Sequence, residues 1–318
     1  MCKLLIGMFG LPIVAAVIPV AVIFINAPAS PPPMASMASP VSQSNQELPT
    51  PRHFRARDGV SLQYYAYPAE PDKIAVLVHG SAGSARSMHA LAEFLRAAGT
   101  TVYVPDVRGH GGSGRRGDID YVGQIDDDMA DFVTQLEHAK GGKTRTLVGF
   151  SAGAGFTIRF AGGAYGALFD RYVFLAPILP GAPTLRPNAG GWTSIALPRI
   201  ITIAWLNRLG IHWFDGFPVI RYAISPENAR LMTGSYSFRL AGNFGAGRQF
   251  ATHLGNIREP AAILVGDADE QVVADQYSPL LQRLGLTMPV TIVPNMKHTD
   301  MIKKPEAFRA ILSALSPK

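Results

Sequence analysis

From about residue 52 to the C-terminus, short runs of β-branched and aliphatic residues alternate with longer stretches whose apolar positions recur every three to four residues. Runs of the first kind suit buried strands and stretches of the second kind suit amphipathic helices, so the pattern predicts an α/β domain with a mostly parallel sheet. "FRARDGVSLQYYAYP" reads as a strand pair around an Asp58-Gly59 turn, and "KIAVLVHG" as a strand running into a glycine turn. "SMHALAEFLRAAG" is a helix with its stop glycine, "TTVYVPD" a strand, and "GQIDDDMADFVTQLEHAK" a second helix. "TRTLVGF" is a strand that opens directly into the helix "SAGAGFTIRFAG". "RYVFLAP", "AAILVGD" and "PVTIVP" are further strands, and "AFRAILSAL" is a closing helix.

Two regions break this rhythm. Residues 178–258 carry tryptophans, prolines and apolar helical fragments such as "WTSIALPRIITIAWLNRLGIHWF" without strand alternation, as expected of a helical insertion capping the carboxyl ends of the strands. At the other end, Leu4 to Ile25 is an uncharged apolar stretch long enough to span a bilayer. Its direct continuation into a linker argues against a core helix, and Ala27-Pro28-Ala29 offers a signal-cleavage alternative to an uncleaved anchor. Lys3 precedes the stretch and no Lys or Arg follows until Arg52, which predicts a membrane-anchored chain with its main domain outside the cytoplasm, or secreted if the signal is removed. The expected organisation is therefore an N-terminal hydrophobic segment (1–26), a Pro/Ser-rich linker (27–51) and one large domain (52–318) with its insertion at about 178–258.

Composition narrows the function classes. The net charge of +6 is spread without a dense basic run, which argues against nucleic acid as a partner. Cys2 is the only cysteine, so the domain has neither a disulfide framework nor a thiol nucleophile.

The chemistry concentrates in Gly149-Phe150-Ser151-Ala152-Gly153, where a strand prediction meets a helix prediction. A serine at such a turn sits on strained backbone, glycines two before and two after let neighbouring chain pass, and helix N-terminal amides lie close to its hydroxyl. A tight packing turn would need the same glycines. A hydroxyl nucleophile needs a histidine base and an orienting acid. His298 follows the last strand, at the sheet edge where Ser151 emerges. His79 and His110 lie in loops after earlier strands, His89 and His138 fall in helices, His212 and His253 belong to the insertion, and His53 opens the domain. Asp267, Asp269 and Glu270 all follow the preceding strand, and each could be the acid on position.

The chain resembles the α/β-hydrolase family, and within it the monoacylglycerol lipase, lysophospholipase and serine aminopeptidase group. The matching pieces are His79-Gly80-Ser81 after a strand, "PDVRGHGGSG" from Pro105 to Gly114, the turn at Ser151, "GDADEQV" and His298, in the family's order over most of 55–318. The resemblance implies an α/β-hydrolase fold with a helical cap, and Ser151 as nucleophile, His298 as base and Asp269, over Asp267, as acid. It implies oxyanion donors in the backbone N–H groups of Ser81 and Ala152, and scaffolding roles for His79, Asp106, Arg108 and His110. Neither a metal nor an organic cofactor is implied.

The expected reaction is serine hydrolysis of a carboxylic ester, with a lipid-like substrate such as a lysophospholipid or monoacylglycerol meeting the enzyme at a membrane. Trp192, Ile200, Ile201, Ile203, Trp205, Leu206, Trp213 and Phe214 could line an apolar access path, or form the cap's own core. Serine aminopeptidase or acyltransferase chemistry would use the same residues, with Asp215 or Glu227 available to hold a substrate amine. A catalytically silent binding protein of the same fold is the alternative outside enzymes.

Overall fold

The computed structural model describes residues 18–34, 47–69, 73–137 and 144–315. An eight-stranded sheet forms the centre. Its strands are β1 (Arg52–Arg55), β2 (Ser61–Tyr67), β3 (Lys73–Val78), β4 (Thr101–Pro105), β5 (Thr144–Phe150), β6 (Arg171–Leu175), β10 (Ala261–Gly266) and β11 (Val290–Val293). They lie in the order β1-β2-β4-β3-β5-β6-β10-β11, with β2 antiparallel to both neighbours and every other pair parallel. Helices α1 (His89–Ala97), α2 (Gln124–Glu137), α3 (Ala152–Ala161), α7 (Tyr277–Arg283) and α8 (Pro305–Leu315) complete the α/β layers.

Helices on both faces explain why β3 reads as a continuous apolar run, since all its residues but the first are buried. Parallel pairing also sends every crossover back to the same edge. The chain leaves β3, β4, β5, β10 and β11 at that edge, which gathers His79, Asp106, Ser151, Asp269 and His298 from segments far apart in sequence.

The insertion between β6 and β10 departs from the purely helical expectation. It contains α4 (Leu197–Arg208), α5 (Phe238–Asn243) and α6 (Phe250–Asn256), but also β7 (Thr193–Ile195), β8 (Pro218–Tyr222) and β9 (Ser235–Ser237), paired as an antiparallel sheet. Strands of three to five residues are too short for an alternation to stand out among prolines and glycines.

The N-terminal reading requires correction. Residues 4–17 and Cys2 of the expected hydrophobic segment, and residues 35–46 of the linker, lie outside the described residues. Residues 18–25 are helical, and among the described residues no helix is long and apolar enough to cross a membrane. Ile23 is fully buried in a small cluster with Ile203, Leu206 and Val219 of the insertion, and the Phe24 ring meets Phe217 edge-on at 5.4 Å. The buried Arg199 donates through Nε to the Ile23 carbonyl (2.7 Å) and through Nη1 to that of Pro218 (2.7 Å). Beyond the helix, Arg221 Nη1 donates to Ser30 Oγ (2.6 Å) and Met34 N–H to the Ala223 carbonyl (3.0 Å). The placement outside the cytoplasm, anchored or secreted, rested on residues 4–25 spanning a bilayer, and with no such helix among the described residues it is withdrawn.

Arg199 supplies the donors for carbonyls on both sides of this contact, and a buried carbonyl left without a donor costs about 1–3 kcal/mol. Arg199→Ala is therefore expected to speed amide hydrogen exchange across residues 18–25 while the strands flanking Ser151 keep their protection. Unchanged exchange in 18–25 would show that apolar packing alone holds the helix.

Candidate active site

Ser151 links β5 to α3 with φ 58° and ψ −120°, a left-handed backbone that L-residues rarely adopt. Hydrogen bonds fix it there. Its N–H donates to the Leu175 carbonyl (2.8 Å), and its own carbonyl accepts from Gly155 N–H (3.1 Å) and Ile178 N–H (3.3 Å). The flanking glycines are required by contact: a Cβ on Gly149 would lie 2.3 Å from Thr157 Oγ1, and one on Gly153 would lie 2.2 Å from the His79 carbonyl oxygen. The turn thus brings the end of β3 against the start of α3.

Three side chains from three loops meet at this point. The Ser151 hydroxyl lies 2.9 Å from His298 Nε2, and His298 Nδ1 lies 2.7 Å from Asp269 Oδ2. The carboxylate accepts, so Nδ1 carries the proton and Nε2 is left to accept from the serine. Asp269 Oδ1 is held by the N–H groups of Gln271 (2.8 Å) and Val272 (3.0 Å). All three residues are buried, Ser151 at 2 % exposure and His298 at 0 %. The Phe150 ring packs on the imidazole at 4.9 Å. Glu270, one of the three acids open on sequence, accepts from the His298 backbone N–H through Oε2 (3.0 Å), and Asp267 is in neither contact.

The Ser81 loop lies beside this row. Ala152 opens α3, where its N–H has no carbonyl four residues earlier in the helix. Ser81 Oγ accepts from Trp192 Nε1 (2.9 Å), Ala82 N–H donates to the Tyr236 hydroxyl (2.7 Å), and Ala82 C=O accepts from Thr233 N–H (2.8 Å). Those three partners belong to the insertion, and nothing in "GSYSF" singles out Tyr236 in the sequence.

The "PDVRGHGGSG" loop is a brace. Asp106 accepts from Ala85 N–H (2.7 Å), Gly112 N–H (2.9 Å) and Gln63 Nε2 (3.0 Å), and it fills the space a Cβ on Gly111 would need, 2.2 Å away. Arg108 pairs through Nε and Nη2 with Asp128 (2.8 and 2.7 Å) and through Nη1 with Asp58 (2.9 Å), tying the loop to α2 and the β1–β2 turn. Among the described residues, no three His, Cys, Asp or Glu side chains gather as a metal site.

The other histidines stand apart from the serine. His79 and His110 are buried near it but bonded elsewhere, His89 meets the Tyr67 hydroxyl (2.9 Å), and His138 lies outside the described residues. The apolar residues expected along an access path divide. Ile203 and Leu206 form a cluster with Ile23 and Val219, with Ile200 and Phe214 against it, Trp192 is buried on Ser81, and Ile201, Trp205 and Trp213 lie exposed.

Burial pushes the imidazoles of His79 and His89 below their ordinary 6.5, and that of His110 well below it. In the unfolded chain they protonate near pH 6.5, so below that pH the unfolded state holds more protons than the folded state. The stability that rests on keeping them neutral is complete above about pH 6.5 and is lost as pH falls further. Urea midpoints are expected to decline from about pH 7 to about pH 5 with proton uptake on unfolding, and His110→Asn should flatten the slope. A slope identical in the variant would contradict this.

The fold has many solved counterparts. A monoacylglycerol lipase from Paleococcus ferrophilus superposes with a TM-score of 0.60 at 21% identity, covering 80% of this chain and 98% of its own. A soluble variant of monoglyceride lipase from Saccharomyces cerevisiae, in complex with a substrate analogue, gives 0.61 at 15% identity over 85% and 94%. A bromoperoxidase from Bacillus anthracis gives 0.59 at 20% identity over 84% and 99%. At such identities the likeness is one of fold. No curated protein matches the chain in sequence. The sequence model of the family described as serine aminopeptidase, S33, matches residues 69–302, most of the chain, and the chain therefore belongs to this family of α/β-hydrolases.

Proposed function

We propose that the protein is a serine hydrolase of carboxylic esters, with Ser151 as nucleophile, His298 as general base and Asp269 as the acid that orients it. The observation that carries this reading is the hydrogen-bonded row from Ser151 Oγ through His298 to Asp269 at 2.9 and 2.7 Å, on a serine held at φ 58°. In the first half-reaction His298 Nε2 takes the hydroxyl proton as Oγ adds to the ester carbonyl. The backbone N–H groups of Ser81 and Ala152 hold the resulting oxyanion, and one such donor typically contributes about 3 kcal/mol to the transition state. Collapse breaks the C–O bond to the alcohol, which leaves with the proton from His298. Water, deprotonated by the same imidazole, then releases the acid and restores the serine.

Residues 178–258 serve as the cap in this reading. A lipid-like ester, such as a monoacylglycerol or lysophospholipid, is the favoured substrate class. Two structural neighbours carry the lipase name, and Phe150 packs apolar surface on the His298 imidazole. Peptidase action on a free amino terminus needs a carboxylate for the substrate amine. Of the two candidates, Asp215 is engaged by Asn207 Nδ2 (2.7 Å) and His212 Nδ1 (3.2 Å), and Glu227 sits in an exposed turn. Ester cleavage is the better fit.

Intact-mass measurement after exposure to a fluorophosphonate should show one adduct, on Ser151, that is absent in Ser151→Ala and His298→Ala. With p-nitrophenyl esters, Asp269→Asn should lower kcat by about 10⁴-fold, and kcat/KM should rise with acyl length. A folded protein that stays unlabelled would reject the nucleophile, and faster turnover of an aminoacyl p-nitroanilide than of any ester would move the assignment to peptidase chemistry.

A further inference from the structure

The polarity of the hydrogen bonds around Ser81 can be worked out link by link. Val107 N–H points at His79 Nε2 (3.2 Å), so Nε2 is an acceptor, and Nδ1–H donates to the Gly80 carbonyl (2.8 Å). His110 Nδ1 faces the carbonyls of Val107 (3.2 Å) and Arg108 (3.3 Å) and carries a proton for them, which leaves Nε2 to accept from the Tyr236 hydroxyl (2.5 Å). The same hydroxyl oxygen accepts from Ala82 N–H (2.7 Å). The links close into a ring that runs from Ala82 through Tyr236, His110, Val107 and His79 to Gly80. Its side chains are buried, with Tyr236 and His110 at 1 % and His79 at 0 % exposure.

Ser81 is the residue between the two ends of this ring. A peptide unit is planar and trans, so the direction of the Gly80 carbonyl sets the opposite direction of the Ser81 N–H in the same plane. His79 Nδ1–H and Gly83 N–H (3.2 Å) both hold that carbonyl. The next plane, Ser81–Ala82, is held at its N–H by Tyr236, and Thr233 N–H holds the carbonyl beyond it (2.8 Å). Ala82 has φ 60°, so the loop keeps a conformation that it would leave without such ties.

We infer that Tyr236, a residue of the insertion rather than of the hydrolase core, is a positioning residue that completes the oxyanion hole. Its hydroxyl closes the ring that fixes both peptide planes flanking Ser81 and so aims the Ser81 N–H at the developing oxyanion. The inference rests on the ester-hydrolase reading above. It assigns no proton transfer to Tyr236, which touches neither the substrate nor the Ser151 row. An oxyanion donor acts fully only when its direction is set before the charge develops, so a loosened loop costs rate and leaves ground-state binding alone.

The test compares Tyr236→Phe with the wild type in the full chain. The phenyl ring keeps the packing against Tyr222 (4.8 Å) and His110 (5.1 Å) and removes the hydroxyl with its bonds to Ala82, His110 and the Tyr222 hydroxyl. We expect kcat for p-nitrophenyl butyrate to fall about thirtyfold, below the loss for deleting a donor outright, with KM within about threefold of the wild type. Affinity for an alkyl boronic acid, whose serine adduct is tetrahedral, should fall in step with kcat. Trp192→Phe removes a tie to the Ser81 side chain alone, and should change kcat less than Tyr236→Phe does. Should Tyr236→Phe not fold, His110→Asn breaks the ring one link on and is read in the same way. A folded variant with wild-type kcat and boronate affinity would overturn the inference, as would a loss confined to KM. If the wild type itself takes no fluorophosphonate on Ser151, the ester-hydrolase reading fails first and the inference with it.

Discussion

The left-handed backbone at Ser151 is the constraint on which the rest of the site depends. Such a conformation costs an L-residue about 1–3 kcal/mol and persists only where its surroundings over-determine it. Here β6 supplies the acceptor for Ser151 N–H, the chain after β6 supplies Ile178 N–H to its carbonyl, and α3 supplies Gly155 N–H. Glycine at 149 and 153 lets these pieces come close enough to do so. The sharp turn then presents the hydroxyl to His298 and sets the first amide of α3 beside it, so one strained residue organises both.

Legibility in the sequence followed the range of the interaction concerned. The alternation of apolar runs with amphipathic stretches carried the order of strands and helices in the main sheet, because burial on both faces leaves a strong trace in composition. Ser151, His298 and Asp269 could be proposed as partners because each follows a strand, and parallel topology sends strand ends to one edge. Spacing alone did not choose among Asp267, Asp269 and Glu270. In the folded chain Asp269 meets His298 Nδ1 while Glu270 takes the backbone N–H of the same histidine.

What could not be read was whatever depends on contact between surfaces distant in sequence. The small antiparallel sheet of the insertion leaves no clear alternation, and the bond from Ala82 to Tyr236 spans 154 positions. The N-terminal stretch is the plainest case. An apolar run has the same composition whether its partner is lipid or protein, and hydropathy does not distinguish the two. For residues 18–25 the partner is the face made by Ile203, Leu206 and Val219, with Arg199 satisfying the carbonyl that the helix end leaves open.

The contact between the insertion and the Ser81 loop bears on how such a protein can change over evolution or by design. Substrate preference and turnover are often treated as separable, with the variable segment over the site choosing the ligand and the sheet below doing the chemistry. Here Trp192, Thr233 and Tyr236 reach down from that segment to the Ser81–Ala82 peptide region. A graft that exchanged residues 178–258 for a foreign segment would remove those ties. Variation in this part of the chain is therefore constrained at the positions that hold the Ser81–Ala82 loop, and a graft succeeds only if it brings its own anchor for the loop.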